Sequence, residues 1–267
     1  LWGFLVLELE IIDYVILIML KKNIYQIYGI NGMLAVLANK NKYNIKKVDI
    51  LKNSAAIENS EITKVISKIS APIQYYNREN FNNKFKLKRT QGIVITFEGK
   101  IVQQLPPFEE KVGNFCLLML NNLSDPQNFG QIIRTAECAG VDGIIIPARN
   151  SIGISDTVLQ VSQGAFCTMP IYEVTNLNQT IDQLKQDDFW TIAIENGINA
   201  EPWSKIDYSG KIIIIVGGEG PGINQLVLKS SDFHATIPMQ GKASSLNVSA
   251  AVSAIVFERL RQISMEN

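Results

Sequence analysis

The chain has 267 residues and 46% apolar content, enough for one large hydrophobic core or two medium ones. Its 25 Lys and Arg balance 25 Asp and Glu, so overall charge singles out no partner. His234 is the only histidine, which excludes a histidine metal cluster and argues against a Ser-His-Asp triad; no metal site is expected. Cys116, Cys138 and Cys167 lie at unrelated spacings in apolar segments and read as buried packing thiols of a reducing compartment, hence a cytoplasmic protein.

The balance hides an asymmetry. Residues 1–20 carry Glu8, Glu10 and Asp13 and no base. Residues 21–90 hold 14 Lys and Arg against 4 Asp and Glu, whereas residues 91–267 hold 11 against 18. A small basic region followed by an acidic one points to a polyanion, nucleic acid first, as partner of the basic region.

Residues 1–20 are apolar apart from their three acids, which make a membrane span costly. No basic segment precedes them and no small-residue cleavage site follows, so they make a poor signal peptide. The sequence opens on Leu1, while Met19, followed by Lys21 and Lys22, would be a sensible start. Residues 1–20 are therefore expected to be an extension, disordered or, over 1–18, from an over-extended reading frame.

Residues 21–97 are predicted to form a small α/β module. Ile30–Leu37 has helical spacing, with Met33, Leu34 and Leu37 on one face. Val48–Leu51 reads as a strand and Glu61–Ile69 as a helix burying Ile62, Val65, Ile66 and Ile69. Pro72–Tyr76 and Gly92–Phe97 read as strands, separated by a polar stretch, 77–90, rich in Asn and Lys. Lys21, Lys22, Lys84, Lys86, Lys88 and Arg89 are candidates for phosphate contacts; Tyr75 and Tyr76 could stack on bases but fit strand or core positions better. Residues 98–112, with Pro106, Pro107 and little apolar period, read as a linker.

From 113 to 267 strands alternate with helices. Strands are predicted at 115–120, 143–147, 169–174, 190–194, 212–216 and 233–237, and helices at 130–139, 157–163, 177–186, 223–229 and 246–262. Fully apolar runs such as Ile212–Val216 suit a parallel sheet covered on both faces, so the pattern by itself predicts an α/β, Rossmann-like domain.

Three segments carry chemistry. Asn122-Leu-Ser-Asp-Pro-Gln-Asn-Phe-Gly130 leads from a strand into a helix, with Asn128 at the turn and Arg134 one turn on. Val216-Gly-Gly-Glu-Gly-Pro-Gly222 follows a buried strand; four glycines around Glu219 exceed what a tight turn needs, and no Gly-Lys-Ser/Thr follows as in a Walker loop. Ile237-Pro-Met-Gln-Gly-Lys-Ala-Ser-Ser-Leu-Asn247 runs from a strand into a long helix, with Ser244, Ser245 and Asn247 where one cap would suffice.

In this order the three segments resemble the three motifs of the SpoU (TrmH-type) RNA 2′-O-ribose methyltransferases, over roughly residues 115–261. Tyr28-Gly-Ile-Asn-Gly and Gln91-Gly92 resemble the substrate-binding domain found in many of these enzymes, which has a fold similar to a small ribosomal protein; Thr90 stands where the family often has histidine. The resemblance implies a C-terminal trefoil knot that periodicity could not reveal, a homodimer built through it, and S-adenosylmethionine (SAM) as cofactor. It implies catalytic roles for Asn128, Arg134, Glu219, Ser245 and Asn247 and cofactor contacts for Gly217, Gly220, Ile237, Met239 and Leu246. Arg134 falls on the position often proposed as base; a guanidinium resists that role, and clamping phosphate or stabilising a developing alkoxide is easier to see. The substrate implied is ribosomal RNA, best a large-subunit (23S) guanosine. Alternatives are a tRNA ribose, an antibiotic-resistance site on rRNA, or a non-catalytic ribosome-assembly protein.

Overall fold

The computed structural model describes residues 23–86, 89–197, 200–218, 220 and 222–265. They divide into two compact units, the break falling between Ile101 and Val102.

The first unit is a four-stranded sheet with helices. Its elements are β1 (Ile24–Tyr28), α1 (Ile30–Ala38), β2 (Asn44–Leu51), α2 (Ala55–Glu58), α3 (Ser60–Ile66), β3 (Ile73–Tyr76), α4 (Arg78–Phe85) and β4 (Ile93–Glu98). The strand order is β1-β4-β2-β3, with β4 antiparallel to both neighbours and β2 parallel to β3. The apolar periodicity of Ile30–Leu37 becomes α1, which buries Met33, Val36 and Leu37.

The polar stretch 77–90 contains a helix, α4, that its composition conceals. The Asn77 side chain caps it by accepting from Asn80 N at 2.8 Å, and Phe81 and Phe85, one turn apart, pack at 4.9 Å between ring centroids. Two aromatic residues at the right spacing outweigh the surrounding Asn and Lys.

In the same unit Asp49 is buried and collects Tyr76 Oη at 2.6 Å, Lys47 Nζ at 2.9 Å and Lys84 Nζ at 3.0 Å. Burial pushes the Asp49 carboxyl up, but hydrogen bonds from Tyr76, Lys47 and Lys84 outweigh it and hold it below its ordinary value.

The second unit has an eight-stranded sheet. Its elements are β5 (Val102–Gln103), β6 (Phe115–Asn121), α5 (Pro126–Cys138), β7 (Gly143–Pro147), α6 (Asp156–Val161), β8 (Ile171–Val174), α7 (Leu177–Gln186), β9 (Trp190–Ile194), β10 (Glu201–Pro202), β11 (Lys211–Gly217), α8 (Gln225–Lys229), β12 (Phe233–Thr236) and α9 (Val248–Met265). The order is β10-β12-β9-β11-β6-β7-β8-β5, and every described pairing is parallel. One face of the sheet packs Leu117, Met119, Ile213 and Ile215 with α7 and α8 through Ile181, Leu184 and Val227. The predicted α/β class with a parallel sheet is what the chain forms.

The stretch 98–112 carries structure: Val102–Gln103 pair with Ile171 and Tyr172, and Phe108 is buried against Leu117 and Tyr172. Helix α5 starts at Pro126 rather than Gly130, with Asp125 capping it by accepting from Gln127 N at 2.9 Å. Gly130 is thus inside the helix, where a Cβ would lie 2.5 Å from Val161 Cβ; it lets α5 and α6 close together. Cys116 and Cys167 are buried, but Cys138 is exposed, one turn after Arg134 on the outer face of α5, which corrects the reading of all three as packing thiols. Among the described residues no helix is long and apolar enough to cross a membrane, and no His, Cys, Asp and Glu cluster could hold a metal.

Candidate active site

The register sets Ile194, Val216 and Leu120 side by side, so β9, β11 and β6 end at one level. Chain order reverses here: β7 and β8 extend the sheet to one side of β6, while β9, β11 and β12 lie on the other. Open α/β sheets put ligands in the crevice above such a reversal.

The loop leaving β11 folds back on itself and is tied to Asn121 at the end of β6. Gly218 N donates to Asn121 O at 2.8 Å, Gly222 N to Gly218 O at 3.2 Å, and Asn224 N to Asn121 Oδ1 at 2.6 Å. A Cβ on Gly217 would lie 2.2 Å from the carbonyl carbon of Gly222, and one on Gly218 would lie 2.1 Å from Asn122 O. These two glycines are required by chain packing against chain. Gly220 differs: its φ is 91° and nothing lies within 4 Å of where a Cβ would be, so its backbone faces open space. Glu219 lies outside the described residues.

From the end of β12 the segment 237–247 crosses above β9 and β11 to reach α9. Asn196 Nδ2 holds it by donating to Ser244 O at 2.9 Å. Under this crossing is a cleft of about 280 Å³. Its floor and one wall include Val216, Gly217, Gly218, Gly220 and Gly222; the segment contributes Ile237, Met239, Ser245 and Leu246. All five residues predicted to contact cofactor therefore line one cavity, together with Ser245. Leu246 is 42% exposed and Ile237 and Met239 half-buried, so apolar surface remains for a ligand to cover.

Two lining residues escaped the sequence reading: Glu195 and Asn196, immediately after β9. Their signal was available, since a carboxylate and an amide directly follow a buried apolar strand.

Asn247 opens α9. Its Oδ1 accepts from Ser249 N at 2.9 Å as an N-cap, and its Nδ2 donates to Asn128 Oδ1 at 3.0 Å. The Ser249 hydroxyl lies 2.8 Å from Gln131 Oε1. The first turns of α5 and α9, 119 residues apart in sequence, are thereby clasped. Capping and site-shaping fall on the same side chains.

Arg134 is exposed and does not line the cleft. It borders a separate hollow of about 520 Å³ on the outer side of the clasp, with Gln131, Thr135, Gln163, Ser249 and Ser253. Of the five expected catalytic residues, the four that are described occupy three places: Ser245 in the cleft, Asn128 and Asn247 in the clasp, Arg134 outside it.

Of the candidate phosphate contacts, Lys21, Lys22 and Lys88 lie outside the described residues. Lys86 and Arg89 are exposed. Lys84 is committed internally: besides Asp49 and Tyr76, its amine sits 4.8 Å from the Tyr76 ring centroid and 5.0 Å from that of Phe85. Tyr76 is held by the same group, while Tyr75 is 50% exposed.

A parallel sheet with a backbone-walled cleft beyond its strand ends, bridged by a segment leading into the last helix, defines an α/β ligand-binding domain. Comparison with known proteins makes the class specific. The model of the SpoU rRNA methylase family matches residues 116–257, and that of the RNA 2′-O ribose methyltransferase substrate-binding domain matches residues 26–101. A Staphylococcus epidermidis protein assigned to the TrmH family of tRNA/rRNA methyltransferases is 36% identical over 197 residues, 74% of this chain and 70% of that protein. A Staphylococcus aureus (strain COL) protein of the same assignment is 41% identical over 160 residues, which is 60% of this chain and 64% of that relative's length. The SpoU methyltransferase AviRb from Streptomyces viridochromogenes, solved in complex with the cofactor AdoMet, superposes with a TM-score of 0.76 at 16% identity, over 92% of each chain, a likeness of fold. The chain belongs to the SpoU rRNA methylase family.

Proposed function

We propose that this protein is a SAM-dependent RNA 2′-O-ribose methyltransferase acting on ribosomal RNA, with a guanosine of the large-subunit 23S rRNA as target. The observation that carries the reading is the convergence of Gly217, Gly220, Ile237, Met239, Leu246 and Ser245, from two distant motifs, on one cleft.

The cleft suits SAM in its chemistry. Ile237, Met239, Leu246 and Val248 offer an apolar slot for adenine, exposed loop backbone offers hydrogen bonds to its edge, and the Glu195 carboxylate suits the ribose hydroxyls. Bound SAM supplies a methyl group on a sulfonium, an electrophile that needs no metal. With SAM held there, a ribose 2′-hydroxyl brought to the cleft would receive the methyl group and release its proton to solvent. Arg134 serves this step by gripping a phosphate or countering charge on the 2′-oxygen, and Asn128 with Asn247 fixes the angle between the helices carrying the site.

The basic first unit supplies RNA affinity, and the family match to a substrate-binding domain over residues 26–101 supports this. The protein acts in the cytoplasm as a homodimer through the second unit. Phe257, 47% exposed on α9, and the hollow beside Arg134 support that face. The crossing of segment 237–247 over the cleft supports a C-terminal trefoil knot.

The test is transfer of labelled methyl from SAM to rRNA and tRNA by the wild type and Arg134→Ala. Arg134-dependent label in rRNA ribose is the expected result. Label confined to tRNA would move the substrate. No label on free or ribosome-bound RNA would refute the enzymatic reading in favour of an RNA-binding assembly protein.

A further inference from the structure

The lysines of the first unit differ in what already holds them. Lys47 and Lys84 are spent on Asp49, and Lys46 pairs with Glu98 at 2.6 Å. Lys40, Lys64 and Lys68 are exposed and, among the described residues, form no ion pair. These three, with Lys42, line a single groove of about 740 Å³ between the end of α1, the turn into β2 and the end of α3. The only acid among its lining residues is Glu98, whose charge Lys46 answers. Leu37, Val65 and Ile69 contribute apolar surface. Lys64, in the last turn of α3, and Lys68, in the turn that follows the helix, line the same groove, so one strand of phosphates can meet both.

We infer that this groove, rather than the surface around Lys84, is the RNA-holding face of the first unit, and that it takes a single-stranded segment. Ammonium groups around an apolar trough are what such a segment calls for: phosphates meet the lysines while bases and sugars cover the hydrocarbon. A folded acidic protein would also meet the charge but would not need a trough. The inference rests on the RNA-methyltransferase reading above and adds the site of substrate affinity, which neither the motifs nor the candidate basic residues identified.

The test compares the full chain with Lys64→Ala/Lys68→Ala and a control, Lys52→Ala/Arg78→Ala, which removes equal charge from exposed positions outside the groove. Binding to deproteinised 23S rRNA and to a single-stranded RNA 20-mer is measured against salt, with thermal unfolding as a check on folding. The groove variant should bind about tenfold more weakly, with a log–log salt slope shallower by about 1.4, roughly 0.7 per lost phosphate contact. The control should stay within about twofold, and SAM affinity should be unchanged in all three. Equal losses in both variants, or none in either, would overturn the groove while leaving the methyltransferase reading intact. No RNA binding by the wild type would overturn both.

Discussion

The cleft and the hollow on either side of the α5–α9 clasp are built from different materials. Part of the cleft's lining is tightly packed main chain: Gly217 has no room for a Cβ because its own loop folds back on it at Gly222, and Gly218 has none because the loop after β6 touches it at Asn122. The hollow is bordered by the polar side chains of Gln131, Arg134, Thr135, Gln163, Ser249 and Ser253, of which Gln131, Arg134 and Gln163 are exposed. Rigid backbone suits an invariant ligand such as a cofactor; adjustable side chains suit a substrate whose reacting group must be brought into line.

Removing the guanidinium should test this division most severely. Arg134→Ala should lower methyl transfer by about 100- to 1000-fold, as loss of a charge-stabilising group does, while SAM affinity by calorimetry stays within about twofold. A parallel loss of SAM binding would show that cleft and hollow are one site. Next in size is Gly217→Ala, which pushes a methyl group into Gly222. Overpacking of this kind costs about 1–3 kcal/mol, to be read as a lowered unfolding midpoint and weaker SAM binding together. Unchanged affinity would mean that the loops yield, and the contrast with the hollow would fail.

Asn247→Ala removes a cap and the bond to Asn128. It should cost about 1 kcal/mol of stability and lower kcat more than SAM affinity. The smallest effect concerns acid. Asp232 holds the start of β9 by accepting from Thr191 N at 2.9 Å and from Lys185 at 2.6 Å. Burial raises its carboxyl, but the bonds from Lys185 and Thr191 outweigh that and bring it below its ordinary value. A lowered folded pKa means that its stabilisation is complete above about pH 4, the unfolded value, and is lost as pH falls through the lower folded value. The unfolding midpoint of Asp232→Asn should therefore lie below wild type at pH 7 and converge on it below pH 4; a constant gap would exclude the ion pair as cause.

Much of the fold was legible because a buried parallel strand leaves little choice. Ile212–Val216 can only be such a strand, and the segments on either side of it carry the motifs. That Gly217, Gly220, Ile237, Met239 and Leu246 line one cleft was legible for a related reason: glycine and proline spacing records backbone geometry directly. Helix α4 was hidden for a local reason: the Asn77 cap and the Phe81–Phe85 pair are outnumbered by the Asn and Lys around them. What depends on tertiary contact was not legible either. Lys84 looked like a phosphate ligand because Asp49 lies 35 residues away in sequence. Glu195 carried a signal, a carboxylate directly after a buried strand, but only the sheet order shows that this strand end borders the cleft.

The contacts of Gly217 and Gly218 also bear on how such a protein can change over generations. Where main chain meets main chain, as at Gly217 and Gly218, there is nothing to mutate by degrees: any side chain added must displace backbone. Substitution is then easier at the exposed side chains of Gln131, Arg134 and Gln163 around the hollow than at these two backbone positions.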